Sequence, residues 1–227
     1  MKDRELYITR FSAWAPGVEN REEWDDWALG KQSISPGTRG PEISFTEPMF
    51  RRRLSQISKM TIQVIHDLLP IGADTKITFL SFRGEISRQF QINKMLIEEK
   101  ALAPAAFSLS VFNAPVALAS IALGLKGGYS ALFPGGKNPF AAGLGAVKAA
   151  LLSGKAAEAV FVYADEEAPR EYKGLMGGCP TPAAFGLLLS GDPKPLSLPL
   201  SVIKPEEDNP LVFLKQVLLN GKIYAPS

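Results

Sequence analysis

With 227 residues, 46% of them hydrophobic and 21% charged, the chain can bury a sizeable core and is not a disordered segment. A net charge of +2, from 25 basic and 23 acidic residues, leaves no global field for nucleic acid. One Cys excludes an internal disulfide framework, and one Cys with one His cannot supply the ligand cluster of a zinc site, so no metal is expected.

In chain order, Leu6 to Trp14 alternates as a first strand and is closed by Ala15-Pro16-Gly17. Asn20 is placed to cap a helix beginning REEWDDWALG, with Glu22 and Glu23 in its first turn. Residues 31–48, rich in Gly, Pro and Ser, read as a loop. Phe50 to Leu69 has the spacing of one long helix, with Leu54, Ile57, Ile62 and Ile65 on one side and Pro70 as its stop. Lys76 to Phe82 reads as a buried strand and Glu85 to Glu99 as a helix. The same alternation of strand and helix is expected to continue through 107–124. Tyr129 to Phe133 is strand-like, Asn138 to Leu152 helical, and Ala159 to Ala164 another apolar strand. Ala183 to Leu189 and Leu198 to Ile203 look like closing strands around a GDPKP turn, and Pro210 to Leu219 can form a short helix. This order predicts a layered α/β fold with a mostly mixed or parallel sheet, as a single domain over 1–227 whose tail, 204–227, is peripheral. The opening MKDRELYITRF lacks a signal-peptide core. The nearest approach to a bilayer-length apolar run, 111–125, is broken by Pro115 and Gly124. No membrane span and a cytoplasmic location are expected.

The stretch from Gly127 to Glu166 carries the most information. A strand feeds a helix through Pro134-Gly135-Gly136, the arrangement in which many α/β enzymes hold a nucleophile, yet the turn offers only Gly136 and Lys137. Asn138 is a possible cap and Pro139 suits the first helical position. Ala141, Ala142, Gly143, Gly145, Ala146, Ala149 and Ala150 make a thin helix suited to close packing. The block reads either as a tight crossover or as an enzyme-derived elbow. A phosphate-binding loop fails on detail, because that pattern needs Gly at Ala131 and Ser or Thr at Asn138.

Cys179, in MGGCPTP, is the only thiol, and Pro180 and Pro182 deny it a helix N-terminus that would activate it. Ser130 lies within a strand and has no evident base, and His66 reads as an ordinary helix residue. Arg51, Arg52, Arg53 and Lys59 concentrate positive charge around one helix start, either as a solvated face or as a docking patch for an acidic or phosphate-bearing partner.

An ordered series of segments resembles the N-terminal half of the β-ketoacyl synthases, the thiolase-like condensing enzymes, and in particular their short chain-length-factor-like members. The series is YITRFSAWAPG, REEWDDWALGK, FRRRLSQISKMT, ITFLSFRGEI, APAAFSLSVFNAPVALASIALGLKGG, VFVYADE and AAFGLLLSG. The resemblance implies an α/β thiolase-like half-fold, with a mixed sheet layered between helices. In active members an elbow Cys attacks the acyl thioester, and two His from the C-terminal half assist condensation. The matching nucleophile position falls at Gly136 or Lys137, neither of which can carry an acyl thioester, and the His pair is missing. Relatives often carry His where Phe112 stands here.

The resemblance therefore implies a non-catalytic subunit without a cofactor, paired with an active synthase or with itself in fatty acid, polyketide or aryl polyene biosynthesis. Family dimers form near the elbow, so Phe107, Val111 and Phe112 become candidates for lining an acyl tunnel, and an acyl carrier protein becomes a candidate partner for the Arg51–Arg53 and Lys59 patch. Two other readings stay open: an acyltransferase or thioester hydrolase using Cys179 or Ser130, and a carrier-docking module.

Overall fold

Two neighbouring strands hold the centre of the sheet because their side chains are apolar on both faces. In β4 (Glu158–Asp165) Phe161 and Tyr163 enter one core while Val160 and Val162 enter the other. In β5 (Ala183–Ser190) Phe185 and Leu187 enter the first core and Leu188 the second. This is the two-residue period of a strand covered on both sides. The computed structural model describes residues 5–101, 104–133, 139–154, 156–172, 181–203 and 209–221.

Around this pair, β1 (Tyr7–Trp14), β2 (Lys76–Leu80), β3 (Tyr129–Leu132) and β6 (Leu198–Pro199) complete a six-stranded sheet ordered β3-β2-β4-β5-β1-β6. β2 runs parallel to β3 and to β4, whereas β5 is antiparallel to β4 and to β1, and β6 is antiparallel to β1. The sheet is mixed, as expected.

One face is covered by α1 (Arg21–Ala28), α7 (Pro139–Leu152) and α8 (Pro210–Asn220), and the other by α3 (Gln56–His66) and α6 (Ala114–Ala122). The first core is aromatic: Phe140 of α7 stacks on Phe213 of α8 at 5.1 Å and on Phe185 at 6.2 Å. Such pairs add about 0.5–1.5 kcal/mol each beyond the area they bury. Asn20 caps α1 through a reciprocal box, its side chain accepting from the Glu23 amide at 3.1 Å while the Glu23 carboxylate accepts from the Asn20 amide at 3.2 Å.

The structure differs from the sequence expectations in four places. The helix expected over 50–69 is two pieces, α2 (Pro48–Arg51) and α3, because the Ser55 hydroxyl accepts from the Ser58 amide and starts a new helix there. No strand forms within 107–124; α5 (Pro104–Ser108) and α6 occupy that span, α6 with Pro115 in its first turn. β2 stops at Leu80, since the Phe82 and Arg83 amides turn toward Asp165. The closing strand over 198–203 shrinks to two residues and continues as a 3₁₀ turn, Leu200–Val202. In the described part of the tail, α8 buries Phe213, Leu214, Val217 and Leu218 in the aromatic core.

Candidate functional site

Parallel pairing brings the C-terminal ends of β2, β3 and β4 to one side of the sheet, the side where α/β folds place their sites. β3 ends there, at Leu132. Residues 134–138, with Gly136 and Lys137, and Cys179 lie outside the described residues. The sequence of the turn is PGGKN, with neither Cys nor Ser.

At the exit of β3 stands an aromatic group. Phe112, between α5 and α6, packs its ring 6.2 Å from Phe79 of β2 and 5.9 Å from Phe133 at the exit of β3. Gly84 makes room for it: a Cβ there would lie 2.8 Å from Phe112 Cδ2, and its φ of 57° suits glycine. Of the three expected tunnel residues only Phe112 turns toward the sheet; Phe107 and Val111 are 55% and 46% exposed on the same connection.

Behind this group lies a buried ionic junction that sequence reasoning missed. Asp165, at the end of β4, accepts from the Ser81 hydroxyl (2.6 Å), the Tyr163 hydroxyl (2.8 Å) and the amides of Phe82 and Arg83 (both 3.0 Å). Burial raises its carboxyl to about 6, against the opposing pull of those hydrogen bonds and of the Arg83 charge. Glu166, 2% exposed, accepts from the Ser87 amide at 2.9 Å, and burial followed by the nearby Glu85 charge raises it to about 7. Glu85 itself is fully buried before α4 (Ile86–Glu98) and accepts from Ser55 (2.7 Å), Ser58 (2.6 Å) and Arg88 Nε (3.2 Å). Arg83 Nη1 donates to the Glu166 carbonyl at 2.9 Å. A signal existed in the sequence: both apolar strands end abruptly in charge, KITFL in SFRGE and VFVY in ADE.

The remaining candidates are not brought together. Ser130 is in mid-β3 opposite Thr78, while His66 stacks on Phe45 at 3.6 Å and contacts Asp67, whose other oxygen accepts from Ser12 of β1. β1 and β3 are four strand spacings apart in the sheet, about 19 Å, so Ser130 has no imidazole base within reach. In the basic patch, Arg51 Nη1 donates to the Ile43 carbonyl at 3.4 Å, and the Lys59 stem is half-buried beside Gly40. Arg52 and Arg53 are exposed, and so is Met49 at 71%. Among the described residues, no cluster of three or more His, Cys, Asp or Glu could hold a metal ion, and no helix is long and apolar enough to cross a membrane.

Solved structures place this architecture. The chain is similar to one from the ketosynthase ApeO in complex with its chain length factor ApeC from Xenorhabdus doucetiae. The TM-score is 0.69 at 27% identity, over 82% of this chain and 79% of the other, so the two are of similar length. It is similar in fold to a chain of the ishigamide ketosynthase/chain length factor (TM-score 0.65, 14% identity, 82% of this chain and 62% of that one). The same holds for a chain of AntDE:AntF, a type II acyl-carrier protein in complex with its ketosynthase (0.58, 15%, 82% and 63%). No curated protein matches the chain. The model for the β-ketoacyl synthase N-terminal domain matches residues 24–211, and the chain, with its thiolase-like α/β fold, belongs to that family.

Proposed function

We propose that the chain is a non-catalytic ketosynthase-like subunit that pairs with an active ketosynthase and influences the length of the acyl chain built there, in fatty acid, polyketide or aryl polyene synthesis. The observation that carries this reading is the sequence between β3 and α7, where the resemblance puts the family's nucleophile: it reads PGGKN and has no group that can form an acyl thioester. Similarity to a chain of comparable length from a ketosynthase–chain length factor complex supports it.

The sheet offers a place to pair. β3 is an edge strand whose Gly128 carbonyl accepts from Ile77 of β2 and whose Leu132 carbonyl accepts from Ser81 just past it, so the alternate backbone groups, at Tyr129 and Ala131, face outward with the capacity to pair with another chain. Beside that edge, Phe112 and the 67% exposed Phe133 present an apolar surface suited to an acyl chain. Co-expression with an active ketosynthase tests the reading: the two co-purify, and acyl thioesters leave no adduct on this chain. A stable adduct on Cys179 or Ser130 would favour the acyltransferase reading.

A second reading has its own observation. Arg52 and Arg53 are exposed beside Met49 and make no ion pair among the described residues, a mixture of charge and apolar surface that fits an acidic carrier protein. Reversing both charges should abolish carrier binding and leave pairing with the synthase intact.

A further inference from the structure

The floor of the sheet, where β2, β3 and β4 begin and β5 ends, carries a knob and a groove. The knob is the turn Lys194-Pro195-Leu196-Ser197 between β5 and β6. It is closed twice, the Ser197 amide donating to the Lys194 carbonyl at 3.0 Å and the Lys194 amide to the Ser197 hydroxyl at 3.1 Å. Lys194 Nζ also donates to Glu158 at the start of β4, which ties the turn to the sheet. With Pro195 second and a left-handed third residue, this is the pattern of a type II turn, whose third position favours glycine. The chain places Leu196 there instead, at a φ of 66° and 73% exposed. Among the described residues the other non-glycine positions of positive φ are explained: Ile43 is buried in a core, and Lys100 follows the end of α4, where that conformation is common. Leu196 belongs to neither core. A strained backbone and an exposed apolar side chain therefore coincide where glycine would remove both.

The groove opens on the same floor. Its walls are Leu69 and Ile71, after α3, and Leu123 and Leu125, at the end of α6, around a hollow of about 690 Å³. Ile71, Leu123 and Leu125 also pack against the second core. Positive charge rims the groove: Lys126, with no ion pair among the described residues, and Arg10, whose guanidinium donates to the carbonyl of Pro70 in the wall. A second hollow, about 440 Å³, adjoins the first through Gly72, Ala73 and Thr75. It reaches the knob at Lys194 and is lined by the acids Asp74, Glu158 and Asp192. An acidic half with a knob and a basic half with a groove thus lie side by side, the layout a twofold axis requires of a surface that meets itself. We propose that two copies of this chain associate floor to floor, Leu196 of each entering the groove of the other. The acidic half of each then meets Arg10 and Lys126 of the other. The β3 edge stays free in this dimer, so the association does not depend on pairing with a synthase.

Analytical sedimentation of the isolated full chain reads the association directly. The mass should rise from monomer to dimer between about 1 and about 100 µM, the range of a small specific interface. Leu196→Gly removes the knob and relaxes the turn, so self-association should weaken at least about tenfold while the thermal midpoint holds or rises. Lys126→Glu should weaken it as well, and adding Asp192→Lys to that variant should recover part of the loss, because the swapped charges meet again across the axis. Ala131→Pro, which alters only the β3 edge, should leave the dimer unchanged. A parent protein that stays monomeric at about 100 µM overturns the proposal. So does a dimer that Leu196→Gly leaves intact, or one that Ala131→Pro abolishes. Should Leu196→Gly lower the thermal midpoint, the charge swap decides, and a double variant no better associated than Lys126→Glu alone overturns it.

Discussion

Gly84 and Phe112 are a matched pair: the smallest residue is required because a phenyl ring lies over it. Gly84→Ala puts a methyl 2.8 Å from the Phe112 ring at a φ of 57°, two penalties at one position. A loss of about 1–3 kcal/mol in urea denaturation is expected. The buried acids set the pH dependence of stability. Asp165 and Glu166, at about 6 and about 7 in the folded chain, have ordinary values of 3.8 and 4.5. The folded chain therefore holds more protons than the unfolded one between those values. Stability from these two groups is full below about pH 4, falls as pH rises, and is lost above about pH 7. Denaturation midpoints across that range should decline in the parent protein and decline less in Glu166→Gln. Neither effect was legible from residue types alone. An acid after an apolar run reads as a strand terminus, and only the parallel pairing of β2 with β4 brings Ser81, Phe82 and Arg83 onto Asp165.

Among the elements, α7 separates two kinds of glycine. Gly143 faces the sheet, and a Cβ there would stand 2.6 Å from Phe161 Cε2, whereas nothing lies within 4 Å of a Cβ at Gly145. Gly143→Ala should therefore lower the stability of the isolated chain by about 1–3 kcal/mol. Gly145→Ala should raise it by up to about 1 kcal/mol, as expected for alanine in an open helical position; thermal unfolding of both variants checks the pair. The small-residue run was readable as a thin helix, but which of its glycines touches the sheet depends on helical phase against β4. Strands and helices with strong periodicity were legible, β1, β4 and β5 nearly to the residue. The break between α2 and α3 was not, because Leu54 and Ile57 continue the helical spacing across it while the Ser55 cap interrupts the backbone. α8 read as a short terminal helix; its burial comes from Phe213 meeting Phe140 across the core, a contact no local pattern announces.

For the whole molecule, the open side of the sheet is where function is expected. β6, at the far edge, is only two residues long, whereas β3 exposes a regular edge next to the Phe112–Phe133 group. Ala131→Pro removes an outward-facing amide from that edge while sparing the carbonyls that bind β2. This variant should fold, by circular dichroism, and should fail to co-purify with the synthase. The half-fold and its mixed sheet were legible because they rest on an ordered series of motifs. The free sheet edge was not, since it depends on which strand the topology leaves outermost. The most direct test is the length distribution of acyl products from an active ketosynthase assayed with and without this chain. The account predicts that the distribution shifts when the chain is withheld, and shifts equally with Ala131→Pro; an unchanged distribution, with the chain remaining a monomer beside the synthase, would contradict it.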